Sequence, residues 1–383
     1  MVNRMILNET SYFGKGAITN VPVEAKARGF KKALVVTDKG LLEFKVATKV
    51  TAELDKSGFD YEIFDGIVPN PTIADVQAGV AAAKAAEADY IIAIGGGSPI
   101  DTAKAIGIII TNPEFEDVLS LEGVADTKNP CLPILAVPTT SGTAAEVTIN
   151  YVITDENNHR KFVCVDRHDI PVVAFVDSDM MMGMPKGLCA STGMDALTHA
   201  IEGYITKAAW EMTDMLHIKA IDIIANSLRD SYAGNQDGRE QMALGQYIAG
   251  MGFSNVGLGL VHGMAHPLSA WYNVPHGVAC ATLLPLIMDY NKEFTGEKYR
   301  DIADKFGIED AYTSDLAKVR DEAVAAVRKL GQDVGIPQTI SELGVKAEDI
   351  PAISQDAFKD VCTPGNPRDT SVEEIIDLYQ SMM

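Results

Sequence analysis

The sequence has no apolar run long enough to span a bilayer, and its first residues lack the apolar core of a secretory signal. Cysteine is scarce as well: the chain has five, they are widely scattered, and no two form a CxxC pair. An odd number of scattered cysteines argues against a disulfide framework and predicts reduced thiols. Together these absences predict a cytoplasmic protein.

Positive charge is also in short supply. Lys and Arg number 32 against 53 Asp and Glu, so the net charge is −21. Such a chain repels phosphates, which argues against a nucleic acid or an anionic membrane as partner. Residues 240–291 contain no Lys or Arg at all. A phosphorylated or carboxylate substrate would find no cationic partner there, so this stretch favours a small neutral substrate.

A chain of 383 residues exceeds what one compact core usually holds and predicts two domains. In residues 1–184 short apolar runs alternate with helical periodicity, which predicts an α/β domain with a parallel, doubly wound sheet. Residues 185–383 lose the strand pattern and predict an all-helical domain. The predicted strands lie within residues 32–38, 59–66, 89–98, 133–142 and 159–181. The predicted helices of the second domain include 188–206, 211–234, 237–256 and 258–272.

A glycine-rich turn follows the third predicted strand. Gly95-Gly96-Gly97-Ser98-Pro99 lies between that strand and a helix, where free N–H groups and the helix dipole favour an anion. Glycines let a phosphate approach the backbone, so the turn indicates a nucleotide ligand. The common GxGxxG fingerprint is absent, and a tight turn without a ligand is the alternative interpretation.

A second loop carries hydroxyl groups. Thr139-Thr140-Ser141-Gly142-Thr143 follows the next predicted strand. Helix capping would explain one of its four hydroxyls but does not require four. The loop is therefore interpreted as a second contact with the same ligand.

Asp38 ends the first predicted strand. A carboxylate at that place can accept from ribose hydroxyls and repel a 2′-phosphate, which predicts NAD(H) over NADP(H). The alternative is a turn aspartate that starts the segment Asp38-Lys39-Gly40, and the sequence alone leaves both interpretations open.

Aspartate and histidine recur at helical spacing in the second domain. Asp195 and His199 are four residues apart, as are His262 and His266, so each pair lies on one face of a helix. His276 follows in a Pro-His-Gly turn. Three imidazoles and one carboxylate form a nitrogen and oxygen set without a thiolate, which suits Fe(II), Zn(II) or another divalent first-row metal. The four candidate ligands are Asp195, His199, His262 and His276.

These segments resemble those of the iron-containing (group III) alcohol dehydrogenases. PKGLCASTGMDALTHAIEGY and GLVHGMAHPLSAWYNVPHGVA are similar to the family's signature segments, and GGGSPIDTAK and PTTSGTAAEVT to its cofactor loops. The likeness covers essentially the whole chain. It implies a dinucleotide-binding domain, a helical metal-binding domain and an active-site cleft between them. It also implies a homodimer, to which the alternating apolar positions near the N-terminus would contribute an edge strand.

The resemblance implies roles for individual residues as well. Fe(II), with Zn(II) as the alternative metal, would be held by Asp195, His199, His262 and His276. His266 would lie beside the metal without binding it. The substrate pocket would include Asn150, Phe253 and Cys362. The positions that would contact NAD are Asp38, Asn70, Gly96, Gly97, Ser98, Thr139, Thr140, Thr143 and Lys161.

The implied reaction is hydride transfer between NAD(H) and a short hydroxyaldehyde or diol. The metal would polarise the carbonyl, and His266 would pass the proton, since imidazole titrates near neutral pH. Phe253 would pack against the carbon chain. Asn150 would bond a second hydroxyl, because a substrate distinguished by one hydroxyl needs a polar partner.

Other functions fit these residues less well. A sugar-phosphate lyase like dehydroquinate synthase also uses NAD and a divalent metal, but it needs basic residues around the metal segments. A zinc-dependent glycerol dehydrogenase and a 1,3-propanediol or other short-chain alcohol dehydrogenase stay open, because the same ligand atoms suit both metals. A regulatory protein with a vestigial site is disfavoured by the intact ligand set and by His266.

Overall fold

The computed structural model describes residues 2–158 and 160–383. His159, the first residue of the last predicted strand segment, lies outside the described residues. The chain divides into two compact units, Met1–Met184 and Pro185–Met383.

The described part of the first unit contains nine strands and five α-helices. The strands are β1 Thr10–Phe13, β2 Lys32–Val36, β3 Asp60–Phe64, β4 Tyr90–Gly95, β5 Gly123–Val124, β6 Ile134–Pro138, β7 Asn150–Asp155, β8 Arg160–Val165 and β9 Val173–Val176. The helices are α1 Val21–Ala27, α2 Lys39–Glu43, α3 Ala47–Ser57, α4 Ile73–Ala86 and α5 Gly97–Thr111.

Six of these strands form a parallel sheet in the order β1-β9-β6-β4-β2-β3. β4 and β6 are buried along their whole length, and β2 along all but its first residue. Continuous apolar runs are expected where helices cover both faces of a sheet. The predicted parallel, doubly wound fold is therefore confirmed, and four predicted strand segments correspond to β2, β3, β4 and β6.

The other three strands form a small sheet that the sequence analysis did not predict. Its order is β5-β8-β7, with β7 and β8 antiparallel and β5 parallel to β8. The segment predicted as strand over 159–181 is divided between β8 in this sheet and β9 in the large one. Residues of β7 alternate between half-buried and buried, as in a strand with one covered face.

The second unit is helical throughout its described residues, which confirms the prediction for this half. No helix of the described chain combines the length and apolar character needed to cross a membrane. The helices are α6 Lys186–Ile205, α7 Glu211–Ala233, α8 Gln236–Val256, α9 Leu260–Tyr272, α10 His276–Asn291, α11 Lys298–Lys305, α12 Leu316–Asp333, α13 Ile350–Lys359 and α14 Val372–Gln380.

Helix α6 lies in the middle of this helical unit. Between Cys189 and Ile205 every residue except Thr192 is buried, and α7, α8 and α10 pack against the helix. A helix covered on all sides needs no polar face. Its few polar side chains, Asp195 and His199 among them, must therefore be satisfied inside the protein.

Candidate active site

Three loops of the first unit follow neighbouring strands of the parallel sheet. Asp38 follows β2, the glycine loop at residues 95–97 ends β4, and the threonine loop at residues 139–143 follows β6. β4 lies between β2 and β6. The carboxyl ends of parallel strands share one edge, so the structure brings the three loops together there.

The glycine loop packs directly against the threonine loop. A Cβ atom at Gly96 would lie 3.1 Å from Oγ1 of Thr140, and one at Gly97 would lie 3.0 Å from Cγ2 of Thr143. A side chain at either glycine would fit only if the facing threonine shifted by a few tenths of an ångström. The two segments that the sequence analysis assigned to one ligand are therefore in contact with each other.

The glycine loop also begins the 15-residue helix α5. Gly96 is the N-cap, and no side chain caps the helix. The first N–H groups of α5 thus lack a side-chain acceptor, and the positive end of the helix dipole lies at the same place. Ser98 is in this first turn and is half-buried. The residues present fit the pyrophosphate of a dinucleotide.

Asp38 has a structural role that the sequence analysis left open. Its Oδ1 accepts a hydrogen bond from the N–H of Leu41 at 2.9 Å and caps α2. The carboxylate is half-buried and lies at the carboxyl edge of the sheet. The cap accounts for the start of α2, while the contact with ribose stays a prediction.

Two further predicted NAD contacts lie together although they are distant in sequence. Nζ of Lys161, in β8, donates to Oδ1 of Asn70 at 2.8 Å. Asn70 has a left-handed backbone with φ of 59°, which Asn tolerates better than most residues. The contact fixes the direction of both side chains.

A buried lysine anchors the strand that begins with Asn150. Lys104, in α5, is fully buried, and its Nζ donates to the carbonyl and hydroxyl of Thr148 at 2.7 and 3.0 Å and to the carbonyl of Asn150 at 2.9 Å. These bonds fix the start of β7. The sequence analysis missed Lys104, although a single Lys in the apolar helix IDTAKAIGIII is unusual enough to be a signal.

Three helices of the second unit bring the candidate metal ligands together. Asp195 and His199 lie on α6, His262 lies on α9, and His276 is the first residue of α10. Oδ1 of Asp195 lies 4.0 Å from Nε2 of His262 and 3.7 Å from Nε2 of His276. The side chain of His276 is 26% exposed, whereas those of Asp195 and His262 are buried. The group is therefore open to ligands on the His276 side.

The close approach of α10 to α6 depends on Gly277. A Cβ atom there would lie 2.6 Å from the carbonyl oxygen of Ser191 and 3.3 Å from Cβ of Asp195. Any side chain would push α10 away from α6. The Pro-His-Gly turn thus supplies both the imidazole of His276 and the space that lets it reach Asp195.

The imidazole of His262 has the form expected of a metal ligand. Its Nδ1 lies 2.6 Å from Oε2 of Glu202, and burial lowers the pKa of His262 to about 3, so the ring is neutral. With the proton on Nδ1, the lone pair is on Nε2. Nε2 is buried and has no hydrogen-bond partner among the described residues, and it faces the carboxylate of Asp195. Two acceptors that face each other in a buried site fit a divalent cation.

Glu202 supports this arrangement from the far side of the ring. Its Oε1 accepts from the N–H of Val261 at 2.6 Å. Burial raises the pKa of Glu202 to about 8, and N–H groups of Val261 and Gly259 oppose that rise. A cation at Nε2 of His262 favours the carboxylate form, which accepts the Nδ1–H and orients the ring. The sequence analysis missed Glu202, although it lies seven residues after Asp195 on the same helix face.

We expect Glu202→Gln to weaken the binding of a divalent metal by about 10- to 100-fold, as is typical when the partner of a metal-binding histidine is changed. Competition with a chromophoric chelator measures the dissociation constant. Asp360→Asn is the matched control, since it alters a carboxylate on a different histidine and should leave the affinity unchanged. Equal metal affinity in Glu202→Gln and the unaltered protein would show that Glu202 does not support the site.

His199 lies next to this group of donors, and its role as a metal ligand stays a prediction. Its ring stacks on Phe253 with centroids 4.2 Å apart and on His262 at 4.7 Å. The donor atoms that all lie within 4.8 Å of one another belong instead to Asp195, His262, His276 and Cys280. The sequence analysis missed Cys280, whose signal is its position four residues after His276.

His266 faces a carboxylate of its own. Its Nδ1 lies 2.7 Å from Oδ2 of Asp360, whose Oδ1 accepts from the N–H of Cys362 at 2.9 Å. Burial would raise the pKa of Asp360, but the charge and hydrogen bond of His266, together with hydrogen bonds from Cys362, hold this pKa below its usual value. The ring of His266 stacks on that of His276 with centroids 5.3 Å apart. We call Asp195, His262, His276 and Cys280 the metal group. His266 lies beside this group but does not belong to it, and Asp360 orients its ring.

Comparisons with known proteins follow the same division of the chain. The family described as iron-containing alcohol dehydrogenase matches residues 8–178, and its C-terminal domain matches residues 189–383. Lactaldehyde reductase of Escherichia coli (strain K12) is 62% identical over 381 residues and covers 100% of both chains. 1,3-Propanediol dehydrogenase of Citrobacter freundii is 42% identical and covers 98% of this chain and 97% of its own. An iron-containing alcohol dehydrogenase from Thermotoga maritima has a TM-score of 0.82 at 28% identity and covers 100% of this chain and 99% of its own.

The chain belongs to the iron-containing alcohol dehydrogenase family and is an oxidoreductase. The resemblance stated from the sequence is confirmed. Within the family, the runs NRMILNET, EVTINYVITD and FTGEKYRDIA indicate a likeness to lactaldehyde reductase, and the comparison confirms this likeness too.

Proposed function

We propose that this protein reduces lactaldehyde to 1,2-propanediol with NADH and iron, and oxidises short diols in the reverse direction. The structural observation that supports the chemistry is the buried Nε2 of His262, which has no hydrogen-bond partner in the described part of the chain and lies beside the Asp195 carboxylate. The substrate is proposed from the 62% identity to lactaldehyde reductase over the full chain.

The ligands proposed for iron are Asp195, His199, His262 and His276. A bound divalent ion would act as a Lewis acid toward the carbonyl oxygen. Asp195 supplies a negative charge among neutral imidazoles, and Glu202 orients the ring of His262 through its second nitrogen. Asp195 and His262 are buried, which strengthens their electrostatic contacts with an ion.

His266 is proposed as the residue that moves the proton. Its Nδ1 is engaged by Asp360, so Nε2 is the nitrogen available to exchange a proton with the alcohol oxygen, directly or through water. Asp360 is a positioning residue in this scheme, because it acts through His266.

NAD(H) is proposed to bind at the carboxyl edge of the parallel sheet. The uncapped start of α5 and the adjoining threonine loop would hold the pyrophosphate, and Asp38 would face the ribose. Asn70 and Lys161 are proposed as further contacts, held in place by their mutual hydrogen bond. The other proposed contacts of these loops are Gly96, Gly97, Ser98, Thr139, Thr140 and Thr143.

We expect Asp38→Asn to raise the efficiency with NADPH relative to NADH by about tenfold or more, because it removes a charge that repels the 2′-phosphate. Asn keeps an oxygen that can accept from Leu41, so α2 retains its cap. Asp38→Ala is the control for capping, since it removes both charge and cap at a cost of about 1 kcal/mol. The ratio of kcat/KM with NADPH to kcat/KM with NADH tests this prediction. An unchanged ratio in both variants would mean that Asp38 caps α2 but does not select the cofactor.

Phe253 is the apolar residue of the proposed substrate pocket. Phe253 is buried and stacks on His199, so it can exclude water beside the metal ligands and pack against a short carbon chain. Cys362 is half-buried, and its backbone is fixed by Asp360. Asn150, held at the start of β7 by Lys104, is proposed to bond the second hydroxyl.

A second candidate substrate is 3-hydroxypropanal, the aldehyde that corresponds to 1,3-propanediol. It is supported by the 42% identity to 1,3-propanediol dehydrogenase over nearly the whole chain. The two aldehydes differ in the position of the second hydroxyl, so the polar partner of that hydroxyl decides between them.

The proposed function is tested by the oxidation of NADH with each aldehyde. Protein stripped with a chelator is reloaded under argon with Fe(II) or Zn(II) in parallel. Faster turnover of lactaldehyde than of 3-hydroxypropanal with Fe(II) supports the proposal. Turnover of 3-hydroxypropanal alone would transfer the assignment to the second candidate. No oxidation of NADH despite stoichiometric metal would contradict both.

We further propose that the protein is a cytoplasmic homodimer. β1 forms one edge of the parallel sheet, and Leu7 and Phe13 beside or within it are almost half exposed. An exposed apolar edge favours pairing with a second copy. The cytoplasmic assignment rests on the five cysteines of the described chain, which form no disulfide and four of which are buried.

A further inference from the structure

Cys280 adds a sulfur atom to the donors around the candidate metal centre. It lies on α10 one turn after His276 and is fully buried. Its Sγ is 3.6 Å from Nε2 of His276. The same nitrogen is 3.7 Å from Oδ1 of Asp195. The sulfur is therefore as close to His276 as the carboxylate is.

The spacing of these donors suits one small cation. Zinc ligands lie about 2.0–2.3 Å from the ion, which places neighbouring donor atoms of a tetrahedron roughly 3.3–3.8 Å apart. The separations that join Asp195, His262, His276 and Cys280 include 3.6, 3.7 and 4.0 Å, and all four donors lie within 4.8 Å of one another. The three named separations are thus within a few tenths of an ångström of those that such a tetrahedron requires.

His262 points to the same place independently of the cysteine. Its side chain is 98% buried, and Nε2 has no hydrogen-bond partner among the described residues. A buried, unpartnered nitrogen costs free energy unless a ligand satisfies it. That nitrogen belongs to the same group of donors as the sulfur of Cys280.

We propose that Cys280 is a thiolate ligand of the metal centre, and that His199 and Cys280 are alternative fourth ligands. Asp195, His262 and His276 are common to both sets. When the sulfur binds, the thiol loses its proton to solvent and a metal–sulfur bond forms, without change of oxidation state. The inference extends the proposed metal centre and depends on it.

The consequence is a difference in metal preference between the two sets. Imidazole and carboxylate donors suit Fe(II), whereas a thiolate favours Zn(II) and other thiophilic ions. The nitrogen and oxygen set already suits both metals, and the sulfur set would shift the preference further toward zinc.

Cobalt(II) is the probe that reports on this sulfur. Chelator-stripped protein is titrated with Co(II) under argon, bound metal is counted, and the electronic spectrum is recorded. A thiolate ligand produces an intense near-ultraviolet charge-transfer band, which imidazole and carboxylate ligands do not. We expect this band at one cobalt per chain, its loss in Cys280→Ser, and its retention in Cys189→Ser. Cys189 is the matched control, a buried cysteine on α6 whose Sγ contacts Ser231 and lies outside the metal group.

Two further measurements use the same protein. In His199→Ala, cobalt should still bind and the band should persist, because the sulfur set does not require His199. With Fe(II) and Zn(II) supplied together, Cys280→Ser should lower the ratio of bound zinc to bound iron by at least about tenfold, the smaller effect typical of disturbing a metal site.

The possible results distinguish a failure of the proposed sulfur ligand from a failure of the proposed metal centre. Stoichiometric cobalt without the charge-transfer band, or with a band that survives Cys280→Ser, overturns the role of Cys280 and leaves the metal centre intact. Failure of cobalt to bind the unaltered protein overturns the metal centre and the sulfur ligand with it. Absence of the band from the unaltered protein overturns the role of Cys280 even where a variant does not fold. A band that is present is assigned by its loss in Cys280→Ser and its retention in Cys362→Ser, since Cys362 groups with His266 and Asp360.

Discussion

Replacing His262 with glutamine is expected to remove the divalent metal and to lower turnover of lactaldehyde with NADH by at least about a thousandfold. Lewis-acid stabilisation of the reacting oxygen is worth several kcal/mol, and each 1.4 kcal/mol or so corresponds to a factor of ten. Glutamine keeps an N–H that can donate to Glu202, but it lacks the ring nitrogen that faces Asp195. Metal content per folded chain and the rate of NADH oxidation are the two measurements.

The control for this substitution is His217→Gln. His217 lies on α7 in the same core, is fully buried, and has no hydrogen bond at either ring nitrogen among the described residues. Burial lowers its pKa to about 3, so it is a neutral histidine like His262. It is absent from the metal group, and Gly203 and Gly252 make room for its ring. Full metal content in His262→Gln, or loss of metal from folded His217→Gln as well, would contradict the assignment of His262.

Replacing His266 with alanine is expected to lower kcat by about a hundredfold to ten-thousandfold, the usual contribution of a positioned proton donor. Metal content should stay normal, because the donor atoms of His266 group with Asp360 and Cys362 and not with Asp195. The KM for NADH should also stay unchanged. Anaerobic kinetics and metal analysis on the same preparation measure all three quantities.

The variant Asp360→Asn distinguishes the orientation of the His266 ring by Asp360 from proton transfer by His266 itself. It keeps His266 but removes the carboxylate oxygen that faces Nδ1, so kcat should fall, but less than in His266→Ala. An unchanged kcat would reduce Asp360 to a structural contact. Loss of metal from His266→Ala would make His266 a ligand.

The parts of the fold that could be predicted are those with local signals. β2, β4 and β6 have continuous apolar runs because both faces of the sheet are covered. The small sheet was not predicted, because β5 has only two residues and β7 includes polar residues such as Asn150 and Asp155. The side chains of β7 are alternately half-buried and buried. Short strands with mixed composition carry too little periodicity to be distinguished from loops.

The same distinction applies to the candidate site. Asp195, His199, His262 and His276 are marked by helical spacing and by a turn. Their supporting residues differ in how visible they are. Glu202 and Cys280 lie seven and four residues from a candidate ligand, so helix geometry alone could have found them. Asp360 lies 94 residues from His266, and only the tertiary structure brings the two together.

The donors of the candidate centre come from three separate helices, α6, α9 and α10. An ion bound by all three helices links them to one another. It stabilises the folded state, because the unfolded chain does not hold these donors together. Metal at about a thousand times its dissociation constant adds about 4 kcal/mol to the free energy of unfolding. The resistance of the helical unit to heat therefore follows the free metal concentration around it, whereas none of the candidate ligands lies in the nucleotide-binding unit. Scarcity of metal would weaken one half of the molecule before any substrate is present.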